Sequence, residues 1–515
     1  VDAAPRPAAR TGCGRIVSAW AILRAVTSRP RRSPISRAAS ALVLALTVLL
    51  VATMTAAAQE EPADRPDIIV FYLDDVDPHD ARLWRKSKRT PTLARLFADS
   101  GVRFTNAVAE TPLCSPGRAA LLTGQHTVNH GVTDNVTAPF DPRVTIATEM
   151  RSAGYRTMLV GKYLNQLRSE VKPHRLRKHA KGWDVFDVIY EDNGKYFDYR
   201  LWSREGGIER YGDAGPDHST LVNKRRLVEH LSEAPTDEPV FAVASVFDLH
   251  QPNIPARKHA GDKRCSKVAD WAPPSYGAGV KGKPKFIRQR RELNRPGWPM
   301  QTYCEEMLAV EELATAVVRE QKRRGRLDDT IFVLTADNGV AWGIHRLPQR
   351  KGVPYATRVP LVFSSPARWG EPVVEIDEVV SNIDLAPTFC DIAGCQMGPF
   401  KDGPETADGV SLLPLLDGRA EHLERTVVRE ERSGPYADAP PFRAIRTTEQ
   451  HPAGSWHYIE WDTGERELYD MVDDPWELTN LARDVAHEAL VAQLSAELAD
   501  EVADGAPDAT GTEAA

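Results

Sequence analysis

Short, unbroken apolar runs that alternate with helical stretches constrain the fold of this chain most strongly. Residues 68–73 (IIVFYL) form the first run, and residues 91–100 then have the pattern of a helix. A strand that is apolar at every position is typical of a parallel sheet buried on both faces. Similar runs recur at residues 157–160, 240–246, 331–335 and 361–363. The alternation predicts an α/β fold with a mostly parallel, mixed sheet flanked by helices, among them a long helix over 302–323.

Two polar segments interrupt this alternation. Residues 172–215 and 254–299 are rich in Lys, Arg, Gly, Pro and Trp. Segments of this length without apolar periodicity predict long loops or lids outside the core.

The pattern changes again near residue 400, where Gly and Pro become frequent. Beyond it, residues 456–461 and 467–470 predict short strands, and residues 488–502 a closing helix. We therefore predict a catalytic domain over residues 59–400, a smaller C-terminal α+β subdomain over 401–503 and a flexible tail over 504–515.

Composition excludes several classes of protein. Of the 515 residues, 42% are hydrophobic and 27% are charged, which is typical of a globular protein and not of a disordered chain or a membrane bundle. The net charge of −7 leaves no basic excess for a phosphate backbone, so we expect no nucleic-acid partner.

The N-terminus has the layout of a secretory signal. Five arginines between residues 24 and 37 precede the apolar run 41–54, and Ala56, Ala57 and Ala58 follow it. The run is shorter than the ~20 residues that a spanning helix needs. We predict a signal peptide over residues 1–58, a secreted or extracytoplasmic mature protein, and no stable membrane span in it.

Cysteine usage agrees with export. Cys265, Cys304, Cys390 and Cys395 form an even set suited to an oxidising compartment, and Cys114 is left over. Pairing Cys265 with Cys304 and Cys390 with Cys395 is the most local of three connectivities. The sequence does not choose among them, and buried free thiols are the alternative.

Oxygen-bearing side chains follow two of the apolar runs directly. Asp74 and Asp75 follow the first run, and Asp337 and Asn338 follow the run at 331–335. Ligands bind at the carboxyl ends of strands in open α/β sheets. Three carboxylates converging there would repel one another without a cation, and oxygen ligands suit Ca²⁺ or Mg²⁺. Either pair alone is better explained as a loop acid or a helix cap, whereas the two pairs together, at matching strand ends, favour a metal site.

The segment from Cys114 to Arg118 (CSPGR) is the most informative motif. Ser115 and Pro116 favour a helix start, which places Cys114 at a helix N-terminus, and Arg118 shares its helix face. A reactive thiolate is one interpretation. Sulfur is however too soft a ligand to suit a hard cation at the neighbouring carboxylates.

Cys-x-Pro-x-Arg followed by Thr123-Gly124 resembles the signature of the type I sulfatases, which belong to the alkaline-phosphatase superfamily. The resemblance covers roughly residues 66–480. Other matching motifs appear in the family's order, namely Asp74-Asp75, Gly161-Lys162, His250 with Pro252, Asp337-Asn338-Gly339, and Lys351 with Tyr355 and Arg358-Val359-Pro360.

The resemblance implies a role for each matching residue. Cys114 would be oxidised by a formylglycine-generating enzyme to Cα-formylglycine, whose hydrated aldehyde is the nucleophile and a ligand of one Ca²⁺ ion. The other Ca²⁺ ligands would be Asp74, Asp75, Asp337 and Asn338. Arg118 would stabilise the hydrated aldehyde, Lys162 and Lys351 would hold the sulfate oxygens, and His250 would bind sulfate and protonate the leaving alcohol.

The chain departs from the common family pattern after Lys162 and in the loop after Lys351. Leu164 stands where many sulfatases have a His. The stretch 161–165 (GKYLN) resembles instead the N-acetylglucosamine-6-sulfatase branch, which implies that Asn165 fills part of the role of that His. The usual acidic dipeptide between Tyr355 and Arg358 is missing, which shortens the loop after Lys351. His345 closely follows the candidate metal ligands Asp337 and Asn338. A structural role explains it at least as well as a contact with substrate.

These observations predict an exported, Ca²⁺-dependent sulfatase that hydrolyses sulfate monoesters of a small molecule or saccharide through formylglycine at position 114. One alternative is a phosphonate or phosphate ester hydrolase of the same superfamily. Another is a non-catalytic glycan-binding protein, if Cys114 remains a thiol. The sequence leaves open the natural substrate, endo or exo action and the oligomeric state.

Overall fold

The computed structural model describes residues 65–86, 88–401 and 403–504. Ten strands form one large sheet, namely β1 Asp67–Leu73, β2 Val102–Val108, β3 Arg156–Gly161, β4 Val185–Ile189, β5 Tyr199–Ser203, β6 Gly207–Tyr211, β7 Val240–Ser245, β8 Thr330–Ala336, β9 Leu361–Ser364 and β10 Val374–Ser381. The α-helices are α1 Pro91–Phe97, α2 Cys114–Thr123, α3 Thr127–His130, α4 Ile146–Ser152, α5 Leu167–Glu170, α6 Leu176–His179, α7 Ser219–Glu233, α8 Lys285–Arg288, α9 Gln301–Arg323, α10 Leu385–Ala393, α11 Leu413–Leu416 and α12 Glu488–Asp504.

The sheet is mixed with a parallel centre, as predicted. Its strand order is β10-β2-β9-β8-β1-β7-β3-β4-β5-β6. Strands β8, β1, β7, β3 and β4 run parallel, whereas β9 is antiparallel to both of its neighbours. Every residue of β1, β7 and β8 is buried, because helices cover both faces of these strands. The parallel centre therefore brings the ends of several strands to one edge.

The prediction of a loop or lid over residues 172–215 is wrong. This segment contributes β4, β5 and β6, which extend the large sheet. Strand β4 is buried at all five positions, and Trp183 and Trp202 beside it are 1% and 4% exposed. The strands were missed because each has only five residues and charged turns lie between them. Residues 254–299 agree better with the prediction, since α8 is their single regular helix among the described residues.

A separate four-stranded antiparallel sheet forms the C-terminal part. Its strands are β11 Val427–Arg432, β12 Phe442–Thr447, β13 Trp456–Trp461 and β14 Arg466–Asp470, in that order. Helix α12 covers one face, where Leu494 and Leu498 pack against Ile445, Tyr458 and Leu468. The α+β character of this part is as predicted, although the sequence indicated only β13 and β14.

The two local disulfides are formed, Cys265 with Cys304 and Cys390 with Cys395, and Cys114 is a buried free cysteine. Within the described ranges, every helix is too short or too polar to cross a bilayer. The predicted signal peptide and residues 505–515 of the predicted tail lie outside the described residues.

Candidate active site

The candidate residues meet at the carboxyl edge of four neighbouring strands. Asp74 and Asp75 follow β1, Lys162 follows β3, His250 lies just beyond β7, and Asp337 follows β8. These strands are adjacent in the order β8-β1-β7-β3. Residues that are far apart in sequence are therefore close in space, as the strand-end argument predicted.

Cys114 is the first residue of α2, which confirms the predicted helix start. The helix packs very closely on the loop after β8, because a Cβ added at Gly117 would lie only 2.0 Å from the carbonyl oxygen of Asp337. Glycine is needed here for this close approach. It brings the N-terminus of α2 against the carboxylates.

Arg118, one turn along α2, is fixed at several points. Its Nε donates to Asp337 Oδ2 at 2.9 Å, and its Nη2 donates to Asp74 Oδ2 at 3.1 Å. Its Nη1 donates to Ser245 Oγ at 2.7 Å and to the carbonyl of Lys162 at 3.0 Å. All five residues are buried, so the guanidinium is held in one orientation.

Two lysines contact the paired aspartates. Lys162 Nζ donates to Asp74 Oδ2 at 2.5 Å, and Lys351 Nζ donates to Asp75 Oδ1 at 2.8 Å. Burial alone would raise the pKa of the Asp74 carboxyl, but nearby charges, led by that of Lys162, keep its pKa below the ordinary value. With Arg118, the site holds three cations for three carboxylates. The repulsion that the sequence argument invoked is therefore largely offset by the protein's own side chains.

Cys114 lies inside this network. Its Sγ is 2.9 Å from Lys351 Nζ and 3.6 Å from Asp74 Oδ1. One possible ligand atom each from Asp74, Asp75, Cys114 and His250 lie within 4.8 Å of one another, which is compact enough to hold a metal ion. Burial raises the pKa of the Cys114 thiol to about 12. The unmodified side chain is consequently a neutral thiol at neutral pH.

Asp337 and Asn338 join the group through hydrogen bonds. Asp337 Oδ1 accepts from the backbone N–H of Asp75 at 3.2 Å, and Asn338 Nδ2 donates to Asp75 Oδ1 at 2.7 Å. Asn338 Oδ1 is buried and has no hydrogen-bond partner among the described residues. A buried amide oxygen without a partner is destabilising unless something else binds it.

His250 has a defined tautomer. Lys351 Nζ donates to His250 Nε2 at 3.1 Å, so Nε2 carries the lone pair, and Nδ1–H donates to the carbonyl of Gln251 at 2.6 Å. Burial, together with the charge of Lys351, holds the pKa of His250 below its ordinary value. The neutral ring therefore presents Nε2 to the site.

The two residues of open role lie in different places. Asn165 is next to the start of α2, since its backbone N–H donates to Ser115 Oγ at 2.8 Å. Its side-chain Nδ2 donates to Asn193 Oδ1. The His345 ring lies at a tilt against Tyr355, with ring centroids 4.6 Å apart, and its two ring nitrogens have no hydrogen-bond partner among the described residues. Leu164 is buried in the core.

Two residues of the site were not predicted from the sequence, Ser245 and Tyr436. Ser245, the last residue of β7, bonds Arg118 and also donates to the carbonyl of Lys162 at 2.6 Å. A hydroxyl at the end of an apolar run was the available signal. Tyr436 comes from the turn between β11 and β12 and packs against Gly352, one residue from Lys351. No local signal links Tyr436 to the site, because the contact is between distant segments.

Comparison with protein families identifies the chain. The family model described as Sulfatase matches residues 66–395, well over half of the chain, and the model described as N-sulphoglucosamine sulphohydrolase, C-terminal, matches residues 350–504. The chain belongs to the sulfatase family. It is a sulfuric ester hydrolase, and the predicted resemblance to type I sulfatases is confirmed.

Individual relatives support the resemblance to the N-acetylglucosamine-6-sulfatase branch. The human protein named N-acetylglucosamine-6-sulfatase is 26% identical over 483 residues, covering 83% of this chain and 82% of that protein. The Drosophila melanogaster protein named extracellular sulfatase SULF-1 homolog is 29% identical over 374 residues, covering 69% of this chain. The match covers only 32% of that Drosophila protein.

A solved structure in complex with its substrate D-glucosamine-2-N,6-O-disulfate superposes with a TM-score of 0.68. The match covers 87% of this chain and 100% of that chain, at 21% identity. At this identity the comparison establishes a shared fold.

Proposed function

We propose that this sulfatase hydrolyses 6-O-sulfate esters of an amino sugar or a close relative, using formylglycine made from Cys114 and one bound Ca²⁺. The observation that carries the proposal is the position of Cys114, which starts a helix and lies within 2.9 Å of Lys351 and 3.6 Å of Asp74. A sulfate bound over position 114 would meet cations on several sides.

The environment of Cys114 disfavours a thiolate nucleophile. With its thiol pKa raised to about 12 by burial, the side chain offers almost no thiolate near neutral pH. Formylglycine would supply a hydrated aldehyde, an oxygen nucleophile that also suits a hard cation. The proposed partner is therefore a formylglycine-generating enzyme acting on the segment around Cys114.

The residues present fit a hard divalent cation. Asp74, Asp75, Asp337 and Asn338 offer oxygen atoms as ligands, and Asn338 Oδ1 is buried with no hydrogen-bond partner in the described part of the chain. When bound, Ca²⁺ would polarise a sulfate oxygen as a Lewis acid. Asp74 and Asp75 would then serve as ligands of the ion, and the ammonium groups of Lys162 and Lys351, which pair with them in this structure, would be available to sulfate.

Other side chains then have distinct tasks. Arg118, fixed by Asp337, Asp74 and Ser245, holds position 114 and stabilises negative charge there. His250 presents Nε2 to the site and, once protonated, donates a proton to the departing alcohol oxygen. The sugar alkoxide is a poor leaving group, so this proton transfer matters for a saccharide ester.

The proposed substrate class rests on the resemblance to the N-acetylglucosamine-6-sulfatase branch. The stretch 161–165 resembles the glucosamine-6-sulfatase branch, and a relative in that branch is similar over most of both chains. Trp183, Trp202 and Trp342 are only 1%, 4% and 1% exposed and belong to the core, so their rings are not available to stack on a sugar. Export through a cleaved signal peptide over residues 1–58 is part of the same proposal.

The direct test is released sulfate from a panel of substrates. Wild-type protein from a host with the converting enzyme is assayed on sulfated monosaccharides, glycosaminoglycan fragments, an aryl sulfate and an aryl phosphonate ester, with Cys114→Ala as the inactive control. Preference for glucosamine-6-sulfate supports the proposal. Activity confined to aryl sulfates or 2-O-sulfated uronates rejects the substrate class, and preference for the phosphonate ester rejects the sulfatase reaction.

A further inference from the structure

The turn between β11 and β12 carries the C-terminal part to the edge of the active site. Tyr436 packs on Gly352, where an added Cβ would lie 2.8 Å from Tyr436 Cδ1. The carbonyl of Tyr436 accepts from Arg350 Nη2 at 3.0 Å. Arg350 precedes Lys351 directly, so this turn lies beside the proposed sulfate site.

Two arginines converge on one carboxylate at this turn. Asp438 Oδ1 accepts a hydrogen bond from Arg350 and Oδ2 accepts one from Arg290. Asp438 is exposed, with 58% of its side chain accessible, whereas the side chains of Arg290 and Arg350 are 18% and 16% accessible. The carboxylate thus lies on the solvent side and the arginines line the wall behind it.

The arginines retain unused hydrogen-bonding capacity. The Nε atoms of Arg290 and Arg350 are both buried without a hydrogen-bond partner among the described residues. Arg432 is close to Arg350, and burial together with the Arg350 charge lowers the pKa of Arg432 to about 10. The guanidinium groups of Arg290 and Arg350 share the single charge of one exposed carboxylate, and the remaining positive charge favours an anionic ligand.

We propose that Arg290 and Arg350 form a subsite for a second anionic group of the substrate, a sulfate or a carboxylate, adjacent to the ester that is hydrolysed. Asp438 fills this subsite until the substrate group displaces it. Guanidinium groups bind sulfate or carboxylate oxygens through paired N–H donors, as they bind Asp438 here. The inference rests on the proposed function, because it names a feature of the same substrate.

Two variants with opposite expected effects test the subsite. Arg290→Gln removes one donor, and Asp438→Asn removes the competing charge. Arg257→Gln is the matched control, because Arg257 forms an ion pair with Asp213 in which both side chains are exposed. Substrates are glucosamine-6-sulfate, glucosamine-2-N,6-O-disulfate and a 6-sulfated disaccharide with a uronate, which separate a second sulfate from a carboxylate.

Arg290→Gln should lower kcat/KM for the preferred doubly charged substrate about tenfold, mainly by raising KM. The same variant should change kcat/KM for glucosamine-6-sulfate less than about twofold. Asp438→Asn should raise the preference for the doubly charged substrate, and Arg257→Gln should leave it unchanged. Equal losses on singly and doubly charged substrates, or a lower preference in Asp438→Asn, would overturn the subsite.

Binding separates this inference from the proposed function. Calorimetry with Cys114→Ala measures the same three ligands without turnover. If the wild type fails to release sulfate, the proposed function is rejected, while tighter binding of a doubly charged ligand that is lost in Arg290→Gln still supports the subsite. Equal affinity for all three ligands rejects the subsite even if hydrolysis occurs.

Discussion

The ammonium of Lys351 lies 2.9 Å from the sulfur of Cys114, although the two residues are 237 positions apart in the sequence. The same ammonium donates to Asp75 at 2.8 Å. A charge in this place can stabilise an oxyanion at position 114 and an oxygen of a bound sulfate. The loop after β8 therefore places the ammonium of Lys351 beside both Cys114 and Asp75.

Lys351→Ala should reduce kcat/KM on an aryl sulfate by about 100-fold or more, since a preorganised charge is lost from a buried site. Steady-state kinetics with folded variant protein measure the effect. Lys195→Ala is the control, because Lys195 is exposed, and it should stay near wild type. A Lys351→Ala enzyme with near wild-type activity would remove this residue from the mechanism.

Chelation of Ca²⁺ should lower both the activity and the melting temperature of the wild type, and added Ca²⁺ should restore them. Asp337→Ala should lose activity and become insensitive to the chelator, and stability should fall by about 3 kcal/mol or more, because Arg118 loses a buried partner. Metal content, activity and thermal unfolding are measured together. Full activity in protein shown to be free of metal would contradict the Ca²⁺ site.

His250→Gln should impair substrates according to their leaving group. Loss of general acid catalysis costs about 10²- to 10⁴-fold for a sugar sulfate, whose alkoxide needs a proton. A nitrophenyl sulfate leaves without such help, so its rate should fall far less. Comparing kcat for the two substrates measures the difference. Equal losses would show that His250 binds sulfate without protonating the leaving group.

The ion pair between His126 and Glu110, whose atoms Nδ1 and Oε1 are 3.0 Å apart, should make stability depend on pH. Burial alone lowers the pKa of His126, but Glu110 reverses this and raises it to about 9. A raised folded-state pKa means that the stabilisation is complete below about pH 6.5, the unfolded value, and is lost as pH rises through about 9.

The size of this effect is at most about 3 kcal/mol, from the shift in pKa. Melting temperatures of wild type and His126→Gln are compared from pH 6 to pH 10. The difference between them should shrink as pH rises. A difference that stays constant or grows would contradict the assigned ion pair.

Much of the site was predictable because it depends on strand ends. The apolar runs that become β1 and β8 mark where Asp74 and Asp337 must lie, since parallel neighbouring strands end at the same edge. The helix start at Cys114 was also visible, because Ser115 and Pro116 are local signals. Each of these predictions depended on residues close together in the sequence.

Contacts between distant segments were not predictable. Strands β4 to β6 are stabilised by pairing at the end of a sheet, which their charged surroundings concealed. The ion pairs of Lys162 with Asp74 and of Lys351 with Asp75 offset the repulsion from which a metal was inferred. Arg290, Tyr436 and Asp438 meet Arg350 through tertiary packing alone.

The central claim is that position 114 carries a formylglycine in active protein. Peptide mass spectrometry of the segment around Cys114, from protein made with the converting enzyme, tests it most directly. The expected peptide has oxygen in place of sulfur and two hydrogens fewer than the cysteine peptide, and sulfatase activity should rise in proportion to the converted fraction. Fully active protein in which every peptide retains the cysteine thiol would contradict the account.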